Sequence, residues 1–151
     1  MRMMVAAFVA MIGATSAVAA DSETWGKEWS VYRQFLKTPA CGIAPDVDAC
    51  IKVLDRWRRD FMWATDPHWK NLYAGQRNIA ICLFDGCGGE VKTNPVLACG
   101  WSRVVLLAGH PEIVEEDFQR ERSYCGTLAT PIEKDTATAQ AHRLIRLLIT
   151  Q

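Results

Sequence analysis

The chain has 151 residues, half of them apolar and 23% charged, which excludes a disordered tail or a collagen-like fibre. Its 17 basic and 17 acidic side chains cancel, so the basic excess that a nucleic-acid backbone requires is absent.

The first twenty residues, MRMMVAAFVAMIGATSAVAA, carry one charge, Arg2, then an apolar run from Met3 to Ile12 and the small residues Ala17, Ala19 and Ala20. This order predicts a secretory signal peptide cleaved near Ala19 or Ala20, and a periplasmic or secreted chain. The alternative is an uncleaved anchor, since the 18 uncharged residues from Met3 to Ala20 approach the lower limit for spanning a bilayer. Gly13, Thr15 and Ser16 make its second half a poor lipid-facing helix. No cysteine stands at the cleavage point, so a lipoprotein anchor is not indicated. Residues 21–151 then form one domain by length.

That domain reads as helices throughout. Trp25, Trp29, Tyr32, Phe35 and Leu36 share one apolar face, and Pro39 ends the first helix. Asp46 or Asp48 caps a second, on which Val47, Cys50, Ile51, Leu54, Trp57, Phe61 and Met62 repeat every three or four residues. Its other face carries Lys52, Asp55, Arg56, Arg58, Arg59 and Asp60. A third runs from Trp69 to Phe84. After the turn-rich segment DGCGGEVKTNP, Asn94 caps and Pro95 opens a fourth, which Gly109 stops. A fifth covers Glu112 to Leu128, with Ile113, Val114, Phe118 and Tyr124 as a weaker apolar face. A sixth covers Pro131 to Thr150, with Ile132, Ala137, Ala141, Leu144, Ile145 and Leu148 repeating. No segment sustains strand alternation. The expected fold is all-α: about six helices in antiparallel hairpins, a short α/α solenoid-like domain stapled by disulfides.

Six cysteines, Cys41, Cys50, Cys82, Cys87, Cys99 and Cys125, all lie after the signal segment, an even set expected to be oxidised in an exported chain. Cys41 and Cys50 flank a short Gly/Pro loop and are the easiest pair to close. If Cys82 and Cys99 stand level on the arms of a hairpin turning near Glu90, Cys87 is left for Cys125. The pairing of Cys82 with Cys87 and Cys99 with Cys125 stays open. Redox chemistry of the C-x-x-C kind and haem attachment by C-x-x-C-H find no motif. His68, His110 and His142 are scattered away from the cysteines, so no metal site or cofactor is expected.

The stretch NIAICLFDGCGGEVKTNPVLACGWSRVVLLAG, from Asn78 to Gly109, resembles a Sel-one-like repeat, an α/α hairpin related to tetratricopeptide units. Ile79 and Ala80 match its large-small pair and Leu83 the next large position. Gly86, Gly88, Gly89 and Val91 match its loop with one extra residue. Asn94, Ala98, Trp101, Val105 and Gly109 follow in step. Small Ala80 and Ala98 would let two helices approach, and the glycines would permit left-handed turn angles. The flanking stretches 25–59 and 112–149 are candidates for degenerate neighbours, because a lone hairpin cannot bury its apolar face. The resemblance implies a protein-interaction or scaffold role and carries over no catalytic residue.

Glu112, Glu115, Glu116 and Asp117 read as complements to the positive start of the fifth helix, in preference to a general acid/base pair. Arg56, Arg58 and Arg59 read as a solvated face or an anchor for an acidic partner. Most of the six tryptophans are expected in the core. Trp63, His68 and Trp69, in FMWATDPHW, sit in or beside a loop, where aromatics serve interfaces or stack on sugars. Ser30 and Ser102 lack a nucleophile motif such as G-x-S-x-G. His110 is expected to cap helix carbonyls. The interface candidates are thus Trp63, His68, Trp69, Arg56 and Arg59. The expected function is a non-enzymatic exported binder of another protein, or an accessory subunit of a membrane-bound complex. The rivals are a small secreted hydrolase of cell-wall glycan and a lysozyme-inhibitor-like module, which CGIAPDVDACIKVLD resembles in cysteine spacing alone.

Overall fold

Apolar spacing and local capping set the helices of the computed structural model, which describes residues 16–38, 41–68 and 70–150. These hold six α-helices: α1 (Ser16–Arg33), α2 (Val47–Thr65), α3 (Leu72–Asp85), α4 (Pro95–Leu107), α5 (Glu115–Gly126) and α6 (Pro131–Ile149). Residues 1–15 of the expected signal peptide lie outside the described residues, and so does Trp69. Among the described residues no helix is long and apolar enough to cross a membrane.

Side chains decide where the helices begin. Asp46 accepts the Ala49 amide at 2.9 Å to start α2, and Asn94 accepts that of Leu97 at 3.0 Å ahead of Pro95 to start α4. Thr130 and Glu133 form a reciprocal capping box at the start of α6. The fifth helix begins three residues later than expected, because Asp117 folds back to take the Val114 amide at 3.1 Å. The first helix ends at Arg33, short of Phe35 and Leu36. Leu36 instead pairs with Val91 as an isolated antiparallel bridge, with Lys37 N–H donating to the Glu90 carbonyl at 3.0 Å. The bridge buries Leu36 and Val91 and fastens the α1 exit to the α3–α4 loop.

Helix α3 is central, packed along α2 on one side and α4 on the other, while α5 and α6 both lie against α4. The α2–α3 crossing is close because residue 75 is glycine: a Cβ there would meet the Ala64 nitrogen at 2.5 Å. The core is continuous from Tyr32, Trp57 and Phe61 through Ile79, Leu83 and Trp101 to Leu144. Phe118 and Ile132, expected on inward faces, are exposed, and so are Val47, Ile51, Met62 and Val114.

Three disulfides staple this all-α fold: Cys41–Cys50, Cys82–Cys87 and Cys99–Cys125. The hairpin pairing of Cys82 with Cys99 and Cys87 with Cys125 does not form. Cys82 faces Trp57 and Asp60 of α2, whereas Cys99 lies with Leu128 and Ala137 on the opposite side of the sheet of helices. Gly86, at φ +82°, ends α3 in a left-handed turn that brings Cys87 back over its last turn. Such a set of bridges is the mark of an oxidising compartment.

Candidate functional site

Helix α2 buries Trp57, Asp60, Phe61, Ala64 and Thr65, packs Val53 and Leu54 against the core, and turns its remaining face outward. Lys52, Arg56, Arg59 and Trp63 fall at i, i+4, i+7 and i+11, one stripe of that outer surface. Ile51, Asp55, Arg58 and Met62 make the stripe beside it, and both Ile51 and Met62 are exposed. The outer face is therefore basic, with apolar side chains set among the charges.

Within that stripe Trp63 is held from below. Its Cβ lies where the absent side chain of Gly75 would be, at the α2–α3 crossing. The half-buried ring carries the Arg59 guanidinium at 4.9 Å from its centroid, and Arg59 also reaches Asp60 at 3.6 Å. Arg56 is exposed one turn earlier. Trp63 thus belongs to the last turns of α2, not to the loop. His68 stands beyond the helix end, its side chain 85% exposed, with its amide donating to Asp66 Oδ1 at 2.9 Å. The structure brings Arg56, Arg59 and Trp63 together on one helix and leaves His68 at its margin.

The acidic cluster does two things. Glu115, Glu116 and Asp117 occupy the first turn of α5, while Glu112 is an exposed residue of the preceding loop. Asp117 is buried, and takes the Tyr73 hydroxyl at 2.5 Å, Arg120 Nη1 at 2.7 Å and the Val114 amide, with Arg77 Nε at 3.3 Å. Burial alone pushes its pKa up, but the Tyr73 and Val114 hydrogen bonds and the two guanidiniums outweigh this and hold it below the usual carboxylate value. A carboxylate held ionised and fully engaged is a brace between α3 and α5, not a general acid. Among the described residues His110 caps no carbonyl: its Nε2 meets Gln76 Oε1 at 2.9 Å, and burial lowers its pKa.

Sequence reasoning missed Asp60, which it placed on the solvated face. The residue is 4% exposed, and its Oδ1 has no hydrogen-bond partner among the described residues, only the Arg59 contact. Burial raises its pKa, against the opposing pull of Arg59, Asn78 and Arg56. Its position three residues after Trp57 and four before Ala64, on the edge of the apolar stripe, was the available signal. With Arg56, Trp57, Cys82, Cys87 and Glu90 it lines a pocket of about 20 Å³, room for one water. A sugar ring needs far more space. Wider open grooves lie elsewhere, one of about 270 Å³ between Leu36, Asp46 and Glu90 and one of about 390 Å³ between Arg103, Leu107 and His142. Among the described residues one set of potential metal ligands converges, Cys99, Glu121 and Cys125, and its two sulfurs are bonded to each other.

Neither a family model, nor a curated protein, nor a solved structure matches the chain.

Proposed function

We propose that this is an exported, disulfide-stapled helical protein that binds an acidic segment of another protein on the outer face of α2. The observation that carries the reading is the Arg59–Trp63 pair, a guanidinium stacked on a ring whose backbone is fixed by the α2–α3 crossing. Tryptophan and arginine are the side chains that most often dominate interface energetics, and here one orders the other before any partner arrives. Arg56 and Lys52 extend the positive stripe, and Ile51 and Met62 offer apolar contact beside it. The oxidised cysteines support export, and residues 1–20 serve as its signal peptide. The Sel-one-like pattern from Asn78 to Gly109 supports a scaffold role, with α3 and α4 as its hairpin. The protein acts without catalysis, as a free periplasmic binder or as an accessory subunit of a larger assembly.

The experiment places a photo-crosslinking residue at Arg56 and, in a separate chain, at Ile132, which is 77% exposed on α6. Both are expressed with the leader and irradiated in the cell. The expected result is one adduct, at position 56 alone, lost on adding Arg59→Glu or Trp63→Ala. Equal capture at both positions, or no capture together with release of fragments from purified cell-wall glycan, overturns the reading.

A further inference from the structure

The stripe of α2 beside the basic one is a palindrome. Ile51, Asp55, Arg58 and Met62 follow at steps of four, three and four residues, the spacing that keeps one seam of a helix in line. All four are exposed, Ile51 by 43% and Met62 by 57%. Among the described residues no ion pair engages Asp55 or Arg58. The order apolar, acid, base, apolar becomes its own complement when the helix is turned end for end. About a point between Arg56 and Trp57, Ile51 maps onto Met62 and Asp55 onto Arg58. Helix α2 also closes one end of the helix layer, with α3 along its inner side.

We infer that this stripe pairs two copies of the chain, α2 against α2, antiparallel about a twofold axis. A twofold contact is self-complementary: residue i meets j, and j meets i. In the antiparallel pair Ile51 packs on Met62 of the second copy and Asp55 meets its Arg58, and both contacts recur across the axis. A parallel pair would set Asp55 against Asp55 and Arg58 against Arg58, and like charges placed opposite one another repel. The stripe thus selects both the partner and its direction. Its step pattern suits helices lying side by side at a crossing angle of about 20°.

The basic stripe stays outside this seam. Lys52, Arg56, Arg59 and Trp63 each follow a seam residue by one position, a rotation of about 100° round the helix. Along that edge Lys52 comes nearest the Arg59 of the second copy, a like-charge approach. The Arg59 guanidinium is drawn off by the Trp63 ring at 4.9 Å and by Asp60 at 3.6 Å. The pairing therefore goes beyond the proposed partner site and leaves one such site on each copy, a partner there relying on the basic stripe while Ile51 and Met62 cover each other. The seam from Ile51 to Met62 is about 17 Å long. A contact of that length falls short of the roughly 800 Å² per partner of a standard interface, so the dimer is weak and depends on concentration.

The test is sedimentation equilibrium of the oxidised protein at concentrations up to about 1 mM. The wild type is expected to be a monomer–dimer mixture. Asp55→Arg alone and Arg58→Asp alone should each weaken the dimer about tenfold or more, because each sets two like-charge pairs across the axis. The double variant Asp55→Arg/Arg58→Asp exchanges the charges and keeps the palindrome, so it should return to within about threefold of wild type. Mixing the two single variants should form a heterodimer, since every seam charge then meets its opposite. A general effect of charge or of helix stability would produce neither the rescue nor the heterodimer. A wild type that stays monomeric throughout, a double variant no better than the singles, or single variants that ignore each other overturns the inference. None of these outcomes bears on crosslinking at position 56, which tests the partner site by itself.

Discussion

Trp101 Nε1 donates a 2.6 Å hydrogen bond to the hydroxyl of Tyr32, 69 residues away in sequence, with both side chains buried. The bond joins α1 to α4 through the middle of the core. Tyr32 also receives the Trp57 indole through its carbonyl at 2.9 Å, so two tryptophans depend on one residue. The phenol is sealed off, and burial pushes its pKa well above the ordinary tyrosine value, so it remains neutral. Tyr32→Phe leaves the Trp101 N–H buried without an acceptor and should cost about 1–3 kcal/mol. Adding Trp101→Phe removes the orphan as well as the indole, so the double variant should lose less than the sum of the two single losses. Urea unfolding of all four proteins measures this; strict additivity would mean that the bond contributes nothing.

The bridges differ in what their removal costs. Cys99–Cys125 spans 26 residues and Cys41–Cys50 spans 9. Loop-closure entropy assigns about 3.5 kcal/mol to the first and about 2.5 kcal/mol to the second. Cys99 is also fully buried, so replacing it with alanine removes packing in addition. The paired alanine variant at 99 and 125 should therefore have the lower midpoint in thermal unfolding. The reverse order would show that the exposed loop, not the core, limits stability.

Much of the helical layout was legible because caps and stops are local. Asp46, Asn94, Pro95 and Gly86 act on residues within one turn, and each was readable in place. The end of α1 was not, since the apolar period running from Trp25 to Leu36 continues unbroken while the backbone leaves the helix at Arg33 to pair with Val91. Periodicity records which side chains face the core, and both conformations bury Leu36. The buried acids were hidden for a related reason. Asp117 looks like its neighbours Glu115 and Glu116 until Tyr73, 44 residues away, is placed against it. Asp60 looks like Asp55 until α3 covers it. Of the interface candidates, Arg56 and Arg59 were read from helix spacing and Trp63 from its place beside a loop; the structure sets all three on α2. The ordering of Arg59 over the ring depends on Gly75, which the sequence shows only as an isolated glycine in a helix.

Gly75 sets the distance between α2 and α3. Its Cβ would stand 2.5 Å from the Ala64 nitrogen and 2.6 Å from Trp63 Cβ, contacts with backbone and with a fixed atom. Gly75→Ala must push the helices apart and should cost about 1–3 kcal/mol, despite alanine's better helix propensity. At Gly100 the nearest atom is the Ala137 carbonyl oxygen at 3.3 Å, which a small shift of α6 relieves, so Gly100→Ala should be milder. Displacing Trp63 should also weaken its contact with Arg59. Unfolding midpoints rank the two variants, and tryptophan emission should shift for Gly75→Ala. A Gly75→Ala protein as stable as wild type would show that the crossing is looser than its geometry indicates.

The Asp117 brace has a sign that pH can read. Its folded pKa lies below the unfolded value, so the stabilisation is complete above about pH 4, the ordinary aspartate range, and disappears as pH falls through the folded value. Asp117→Asn removes the charge at every pH, leaving Arg77, Arg120 and the Tyr73 hydroxyl with a poorer acceptor. The partial exposure of both arginines lets water take up some of the loss. The variant should be about 1–3 kcal/mol less stable at neutral pH. The gap should close in acid, because protonated aspartic acid and asparagine are then both uncharged. Denaturant unfolding at neutral pH and at about pH 2 compares the two proteins. A difference that stays constant across that range would mean that Asp117 contributes through its shape alone, and that its ionisation does not hold α3 to α5.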